Sequence, residues 1–259
     1  MAKNDWIKAT DKKLIASIRK HEGEKKYILD NIGSAKLPIA GSCNVTACKR
    51  DNTWPAYICS AGHDTVGIGH LITGKEGFDC YAGISDKQAE KLLTEDLKTH
   101  LEAAKRLAAE SGMTEIGGKY VVQRFMTELC FNIGSGSYRK FKNGLRKLTS
   151  AVNGEIDSKE GRIFTYTEAA DEHLASKWKE DVGERAYTMT DTLKELDNST
   201  GTSPSRKVTA ARAPEKIIAA ATSGKKVTAK SSGTGGSTNV TLKRSRTKSS
   251  EVAMMQAAL

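Results

Sequence analysis

The sequence predicts an α+β fold in which a small β-hairpin lobe and a larger helical lobe have a cleft between them. The stretch from Tyr57 to His70 has β-forming residues on both sides of a Ser/Gly/Asp turn. After Ser85 the apolar residues recur at helical spacing instead, and no internal repeat is visible. A groove between two such lobes is a common place for a ligand site.

The first predicted helix ends at a carboxylate. Thr10 or Asp11 can cap its start, and Gly23 is a suitable left-handed stop. Glu22 therefore lies in the last turn, where the negative end of the helix dipole disfavours an ionised carboxylate. On position alone, a solvated glutamate at a frayed helix end is the simpler interpretation. The apolar face of this helix consists of Leu14, Ile15 and Ile18.

Residues 24–56 lack a sustained period and are rich in turn formers. We expect a long loop or a small subdomain of turns, and segments of this kind are usually functional or inserted. Cys43 and Cys48 lie within the segment and are close enough in sequence to bridge.

The hairpin contains two glycines, Gly67 and Gly69, in its second half. Each weakens a strand by roughly 0.5–1 kcal/mol, so we expect another group to approach the backbone closely there. An ordinary edge hairpin with a buried His70 is the alternative.

Two long helices follow the hairpin. Ser85 and Gln88 form a capping box that opens the longer one, and its apolar stripe is Ala89, Leu92, Leu93, Leu97, Leu101 and Ala104. After a break around Gly112, the second helix is expected to be the most buried and to end at Gly134 and Gly136. Its apolar positions are Val122, Phe125, Met126, Leu129, Cys130 and Ile133. Shorter helices are predicted around Leu145 and Leu148, around Ala170, Leu174 and Trp178, and from Val182 to Leu196.

The positive charge is concentrated at the end of the chain. From Gly201 onward there are eleven Lys and Arg against two Asp and Glu, which accounts for +9 of the net +10, and there is no Phe, Trp or Tyr. Such a segment cannot bury enough apolar surface to offset the entropy of ordering. We therefore expect a folded domain over 1–198, with the inserted loop region at 24–56, and a basic, low-complexity, disordered tail over 199–259.

Composition excludes several classes of protein. No apolar run is long enough for a signal peptide or a membrane span, so synthesis in a cytoplasm is expected. Five cysteines without zinc-ligand spacing predict neither a disulfide scaffold nor a metal site. The basic residues are not interleaved with aromatic ones, which argues against a specific nucleic-acid partner.

Several motifs, in this order, resemble the T4-like phage lysozymes, the muramidases of glycoside hydrolase family 24. The resemblance covers roughly Lys8 to Leu196. Its motifs are His21-Glu22-Gly23, Tyr57-x-Cys59-x-x-Gly62-x-x-Thr65-x-Gly67-x-Gly69-His70, the stretch from Ile84 to Leu93, Phe131-Asn-Ile-Gly134, and Trp178 with Arg185 seven residues later.

The resemblance implies hydrolysis of the β-1,4 bond between N-acetylmuramic acid and N-acetylglucosamine, without a cofactor. Glu22 matches the general acid that protonates the leaving oxygen, and Arg185 matches an arginine that pairs with it. Cys59 falls where most members carry aspartate and some carry cysteine. Thr65 matches the threonine that holds the attacking water, and His70 a structural histidine. The positions that line or support the cleft are Asn132 and Trp178.

The chain departs from the family pattern in two places. About thirty extra residues separate the glutamate from the hairpin, a length typical of an insertion. At Cys59, a thiol that is mostly protonated at neutral pH is a weak base for water, although a thiolate could stabilise an oxocarbenium charge or act as nucleophile. Asp64 and Asp30 are alternatives. We favour Cys59, because Asp64 points to the strand face opposite Thr65 and Asp30 lies outside the hairpin.

The resulting hypothesis is a monomeric phage peptidoglycan hydrolase, either an endolysin released through a holin or a virion-associated lysozyme. Its basic tail would contact anionic envelope polymers or virion proteins. The competing hypotheses are a non-catalytic wall-binding or structural phage component, and a lytic transglycosylase acting on the same substrate.

Overall fold

The structure is a computed structural model that describes residues 5–59 and 61–199. Nine helices and three strands occur within these residues. In chain order they are α1 (Lys12–Glu22), α2 (Lys25–Asn31), α3 (Val45–Asp51), β1 (Ala56–Ile58), β2 (Asp64–Val66), β3 (His70–Leu71), α4 (Asp86–Glu110), α5 (Tyr120–Tyr138), α6 (Lys142–Asn153), α7 (Tyr166–Leu174), α8 (Trp178–Val182) and α9 (Glu184–Ser199). Beyond Ser199, the predicted basic tail lies outside the described residues.

Helix α1 confirms the helix predicted at the start of the chain. Asp11, not Thr10, caps it, because its side chain accepts a hydrogen bond from the Leu14 backbone N–H. Gly23 follows with φ +88°, and Glu22 is the last helical residue. The glutamate is therefore held at a fixed helix end.

The loop prediction for 24–56 is wrong over α2 and α3. Each has seven residues and places one residue fully in the core, Ile28 in α2 and Cys48 in α3. A helix of two turns is too short for its apolar residues to show a helical periodicity. Between these helices the chain runs along the edge of the sheet, where Pro38 accepts a hydrogen bond from the Ile58 N–H (2.7 Å) and Ala40 donates one to Ala56 (3.2 Å).

The predicted hairpin is part of a three-stranded antiparallel sheet of order β1-β2-β3. Tyr57 pairs with Thr65, and Thr65 pairs with Leu71. Strand β2 ends one residue before Gly67, where φ is +62°, and Gly69 has φ +74°. The two glycines thus form the turn into β3.

Helices α4 and α5 were predicted from their apolar spacing, and the Ser85–Gln88 capping box is present. Gly134 ends the regular helix as predicted, because its φ of 73° and ψ of 147° are not helical, but Gly136 does not end the chain's helical path: a second helical segment follows Gly134 up to Tyr138. The helix expected around Ala170 to Trp178 is also divided, because α7 ends at Leu174 and Trp178 begins α8.

The buried apolar residues form two separate clusters, one in each lobe. The first contains residues between 7 and 101 together with Phe131, and the second contains residues between 103 and 193. Helix α4 contributes to both, with Leu101 in the first and Ala104 in the second. A small sheet with its own core, connected by a long helix to a helical lobe, confirms the α+β, lysozyme-like fold.

Candidate active site

A buried ion pair joins the two lobes. Arg185 donates a hydrogen bond from Nη1 to Oε1 of Glu22 over 2.6 Å. The two residues are 1% and 2% exposed. Glu22 ends α1, whose Leu14 belongs to the first core, whereas Arg185 lies on α9, whose Leu193 belongs to the second. The candidate acid is thus fixed between the lobes in a site with little access to water.

The backbone of Gly69 lies against this carboxylate. A Cβ added at Gly69 would lie 2.9 Å from Oε2 of Glu22. The expected close approach to the hairpin backbone is therefore present, and the approaching group is the candidate acid. Gly67 has a different neighbour, because a Cβ there would meet Ile84 and Ala89 at 3.2 Å.

Tyr57 is the site residue that sequence reasoning missed. It is fully buried, and burial raises the pKa of its hydroxyl, with further contributions from Glu22 and Cys59. Tyr57 therefore stays neutral and lies close to both candidate catalytic groups. Its place in the motif was visible in the sequence, but the direction of its side chain was not.

Cys59 and Thr65 both form hydrogen bonds with the backbone of His63. The Sγ atom of Cys59 accepts a hydrogen bond from the His63 N–H (3.3 Å), and the Thr65 hydroxyl donates one to the His63 carbonyl (3.1 Å). Cys59 is 4% exposed and Thr65 is fully buried. The turn between β1 and β2 thus holds both side chains in place.

The two alternative carboxylates are engaged elsewhere. Asp64 accepts a hydrogen bond from the Tyr81 hydroxyl at 2.7 Å. Asp30 lies on the exposed face of α2, where Lys26 pairs with it at 2.6 Å.

Asn132 and Trp178 form a second buried polar contact. Trp178 donates from Nε1 to Oδ1 of Asn132 over 2.8 Å, and Nδ2 of Asn132 has no hydrogen-bond partner in the described part of the chain. This contact fixes the start of α8, five residues before the Gly183 that leads into the helix of Arg185.

His70 connects β3 to α4. Its Nδ1 lies 2.8 Å from Asp96 Oδ2 and its Nε2 lies 3.4 Å from Glu76 Oε1. Burial opposes a charge on His70, but the two carboxylates outweigh it and raise its pKa. The imidazole is thus enclosed by structural partners.

The segment 24–56 lies next to the end of α1. A cavity of about 850 Å³ is lined by His21 and Gly23, the neighbours of Glu22, together with Tyr27 and Trp54 from this segment. The segment therefore contributes to the surface beside the candidate acid.

The cysteines between residues 5 and 199 are all free and buried. Cys43 and Cys48 approach to 4.0 Å between Sγ atoms. Burial raises the pKa of Cys43 and of Cys80 to about 11. No three His, Cys, Asp or Glu side chains in the described ranges are grouped so that they could hold a metal ion.

A small lobe with a three-stranded sheet, joined by a long helix to a helical lobe, gives the protein a lysozyme-like architecture. The profile of the phage lysozyme family matches residues 53–191, which is more than half of the sequence. The chain belongs to the phage lysozyme family, and this membership makes it a phage glycoside hydrolase whose substrate is peptidoglycan. The match begins at residue 53, so Glu22 lies outside it. No curated protein matches the chain. None of the described helices is long and apolar enough to span a membrane.

Proposed function

We propose that the protein is an N-acetylmuramidase of glycoside hydrolase family 24, cleaving the β-1,4 bond between N-acetylmuramic acid and N-acetylglucosamine, with Glu22 as general acid. The observation that carries this proposal is the burial of Glu22 between Arg185 and the backbone of Gly69. A general acid must be held in one position in a site that excludes most water. These contacts meet that requirement.

The second catalytic position is proposed to be Cys59. Its thiol or thiolate would act opposite Glu22, either on the attacking water or on the developing oxocarbenium charge. Thr65 would place the water, because its hydroxyl donates to the His63 carbonyl and keeps its lone pairs to accept a hydrogen bond. The engagement of Asp64 by Tyr81 supports the choice of Cys59.

Three further residues are proposed to support the site. His70 would hold β3 on α4 through Asp96. Asn132 and Trp178 would position the start of α8 and support the wall of the cleft. Their buried hydrogen bonds favour these roles over direct chemistry.

The test is Glu22→Gln compared with Glu24→Gln, an exposed glutamate two residues away. Glu22→Gln should lower the rate of clearance of purified peptidoglycan by about 10²-fold or more, because the glutamine amide cannot act as the acid that protonates the leaving oxygen. Glu24→Gln should keep wild-type activity. Equal clearance by Glu22→Gln and wild type would exclude this proposal.

The cysteine at position 59 also favours a second candidate function, lytic transglycosylation, which needs an acid but no carboxylate to activate water. Mass spectrometry of the digested wall distinguishes the two. Reducing muramyl ends support hydrolysis, whereas 1,6-anhydro-muramyl ends support transglycosylation. Binding to the wall without any cleavage product would instead identify a structural phage component.

A further inference from the structure

The cavity beside the end of α1 has the construction of a ligand site. Its volume of about 850 Å³ lies within the usual range for sites that hold small molecules. Two aromatic side chains line it, those of Tyr27 and Trp54, together with the small apolar side chains of Ala16 on α1 and Ala89 on α4. Glu22 is not one of the lining residues, although its chain neighbours are, so the cavity is separate from the candidate acid.

Two ion pairs supply polar groups to this cavity. Arg19 on α1 contacts Glu90 on α4 over 2.7 Å, through Nη2 alone. Lys25 on α2 contacts Oδ2 of Asp86 on α4 over 3.0 Å, and Oδ1 of Asp86 accepts a hydrogen bond from Nε1 of Trp54 at 2.7 Å. The helices around the cavity therefore carry hydrogen-bonding groups on more than one side of the aromatic wall.

Two further lining groups are available to a ligand. Within the described part of the chain, the Tyr27 hydroxyl makes no hydrogen bond, and the Lys20 ammonium makes neither a hydrogen bond nor an ion pair. Both side chains can donate hydrogen bonds, and the tyrosine hydroxyl can also accept them. An aromatic ring with a free hydroxyl at the edge of a cavity suits a ligand that has both apolar and polar faces.

The charges that line the cavity cancel. Three are basic and three are acidic, namely Arg19, Lys20, Lys25, Glu24, Asp86 and Glu90. His21 adds no charge at neutral pH, because burial together with the charges of Arg185 and Lys20 lowers its pKa to about 4. A cavity without net charge favours a neutral ligand over the basic tail of the chain or an anionic polymer.

We propose that this cavity binds an N-acetylhexosamine unit of the wall glycan, as a saccharide site separate from the catalytic cleft. This inference rests on the proposed function only in taking the glycan as the polymer. The apolar face of a sugar ring would pack on Tyr27 and Trp54, and its hydroxyls would bond to the groups of the two ion pairs. The acetamido methyl group would lie against the alanines. A glycan held at two places on one protein stays close to the cleft.

The test is NMR of the full chain titrated with the trimer of N-acetylglucosamine, a neutral glycan without the N-acetylmuramic acid that the proposed reaction needs. The chain has three tryptophans, and each gives one indole N–H resonance. That of Trp54 reports on the cavity, and that of Trp178, bonded to Asn132, reports on the cleft. Trp6→Phe and Trp178→Phe assign them. The Trp54 resonance should shift and saturate. If it does not move, or if only the Trp178 resonance moves, the inference is overturned.

Variants of the cavity provide the controls. Ala16→Phe fills the cavity from an exposed position on α1 and should weaken the affinity measured at Trp54 by about tenfold or more. Lys12→Phe, exposed on the same helix and outside the lining, should leave the affinity unchanged. Tyr27→Ala removes one aromatic wall, should weaken binding in the same direction, and replaces Ala16→Phe if that variant does not fold. Wild-type affinity in either folded cavity variant overturns the inference.

Two comparisons separate this site from the tail and from the proposed function. If removal of residues 199–259 shifts the Trp54 resonance without any saccharide, the tail is the occupant and the inference is overturned. Ala16→Phe should cleave soluble wall fragments at the wild-type rate, because it leaves the candidate catalytic residues unchanged. If the wild type cleaves no wall but its Trp54 resonance still responds to the trimer, only the proposed function fails. If it cleaves walls while this resonance does not move, only the saccharide site fails.

Discussion

The contact of Glu22 with the backbone at position 69 depends on the absence of a side chain. Two properties of Gly69 are involved: its φ of +74°, which other residues rarely adopt, and the 2.9 Å between its missing Cβ and Oε2 of Glu22. The sequence alone indicated a close approach but did not identify the approaching group. That group comes from a helix 47 positions earlier in the chain.

Gly69→Ala should therefore reduce activity more than it reduces stability. The new methyl group would displace the Glu22 carboxylate, and we expect a loss of about tenfold or more in rate. Gly74→Ala is the matched control, because Gly74 has φ +78° and no atom within 4 Å of the added Cβ. Both variants should lose about 1 kcal/mol or more of unfolding free energy from backbone strain. Similar rates in the two variants would show that the contact with Glu22 is irrelevant to activity.

Cys59 provides a separate prediction. Cys59→Ala removes the sulfur that accepts from the His63 N–H, and hydrolysis should fall by about tenfold or more. Cys59→Asp should be at least as active as wild type, because a carboxylate is the stronger base. Cys130→Ala, at a buried cysteine in the other core, controls for loss of packing. Full activity of Cys59→Ala, with anhydro ends in the products, would favour transglycosylation.

The helices show how far the sequence determines the fold. Apolar spacing predicted α4 and α5 because each has several turns that face a core. The same method missed α2 and α3, which have seven residues each and pack mainly through single residues. The site was predictable only through the family resemblance. Nothing in the pattern of α9 indicates that Arg185 contacts Glu22, 163 residues away.

Helix α7 carries a histidine whose burial makes stability depend on pH. His173 is fully buried, its Nδ1 lies 2.7 Å from the Ala169 carbonyl, and its Nε2 lies 3.3 Å from the Tyr138 hydroxyl. Burial lowers its pKa to about 4 from an ordinary 6.5. The unfolded chain binds the proton first, so this contribution is complete above pH 6.5 and is lost as the pH falls towards 4.

We therefore expect His173→Phe to reduce the loss of stability on acidification. Over this window the wild-type histidine should contribute a loss of up to about 3 kcal/mol in unfolding free energy. Urea unfolding at neutral pH and near pH 4.5 measures this change in each protein. His63→Gln, at an exposed histidine, should behave like wild type. If the unfolding free energy of His173→Phe falls between the two pH values by as much as that of the wild type, the assignment of this loss to His173 is wrong.

Two cores connected by α4, with a buried ion pair between their lobes, contain all the candidate site residues within residues 5–199. Most of the net charge lies outside this range, because +9 of the +10 belongs to residues 201–259. We therefore propose that catalysis and attachment are separate, with a catalytic domain over 1–198 and a basic segment that contacts anionic envelope polymers or virion proteins.

Truncation after Asn198 tests that division. It leaves a net charge of +1. Hydrolysis of soluble wall fragments should remain within about twofold of the full chain, because the truncation leaves all the candidate site residues in place. Sedimentation with intact walls should fall, and the difference between the two proteins should disappear as salt screens the charges. A neutralised tail, with its eleven Lys and Arg changed to Gln, serves as the control for length. If the truncated chain sediments as strongly as the full one at low salt, the tail has no role at the wall, and its proposed contact with virion proteins is then tested by incorporation into particles.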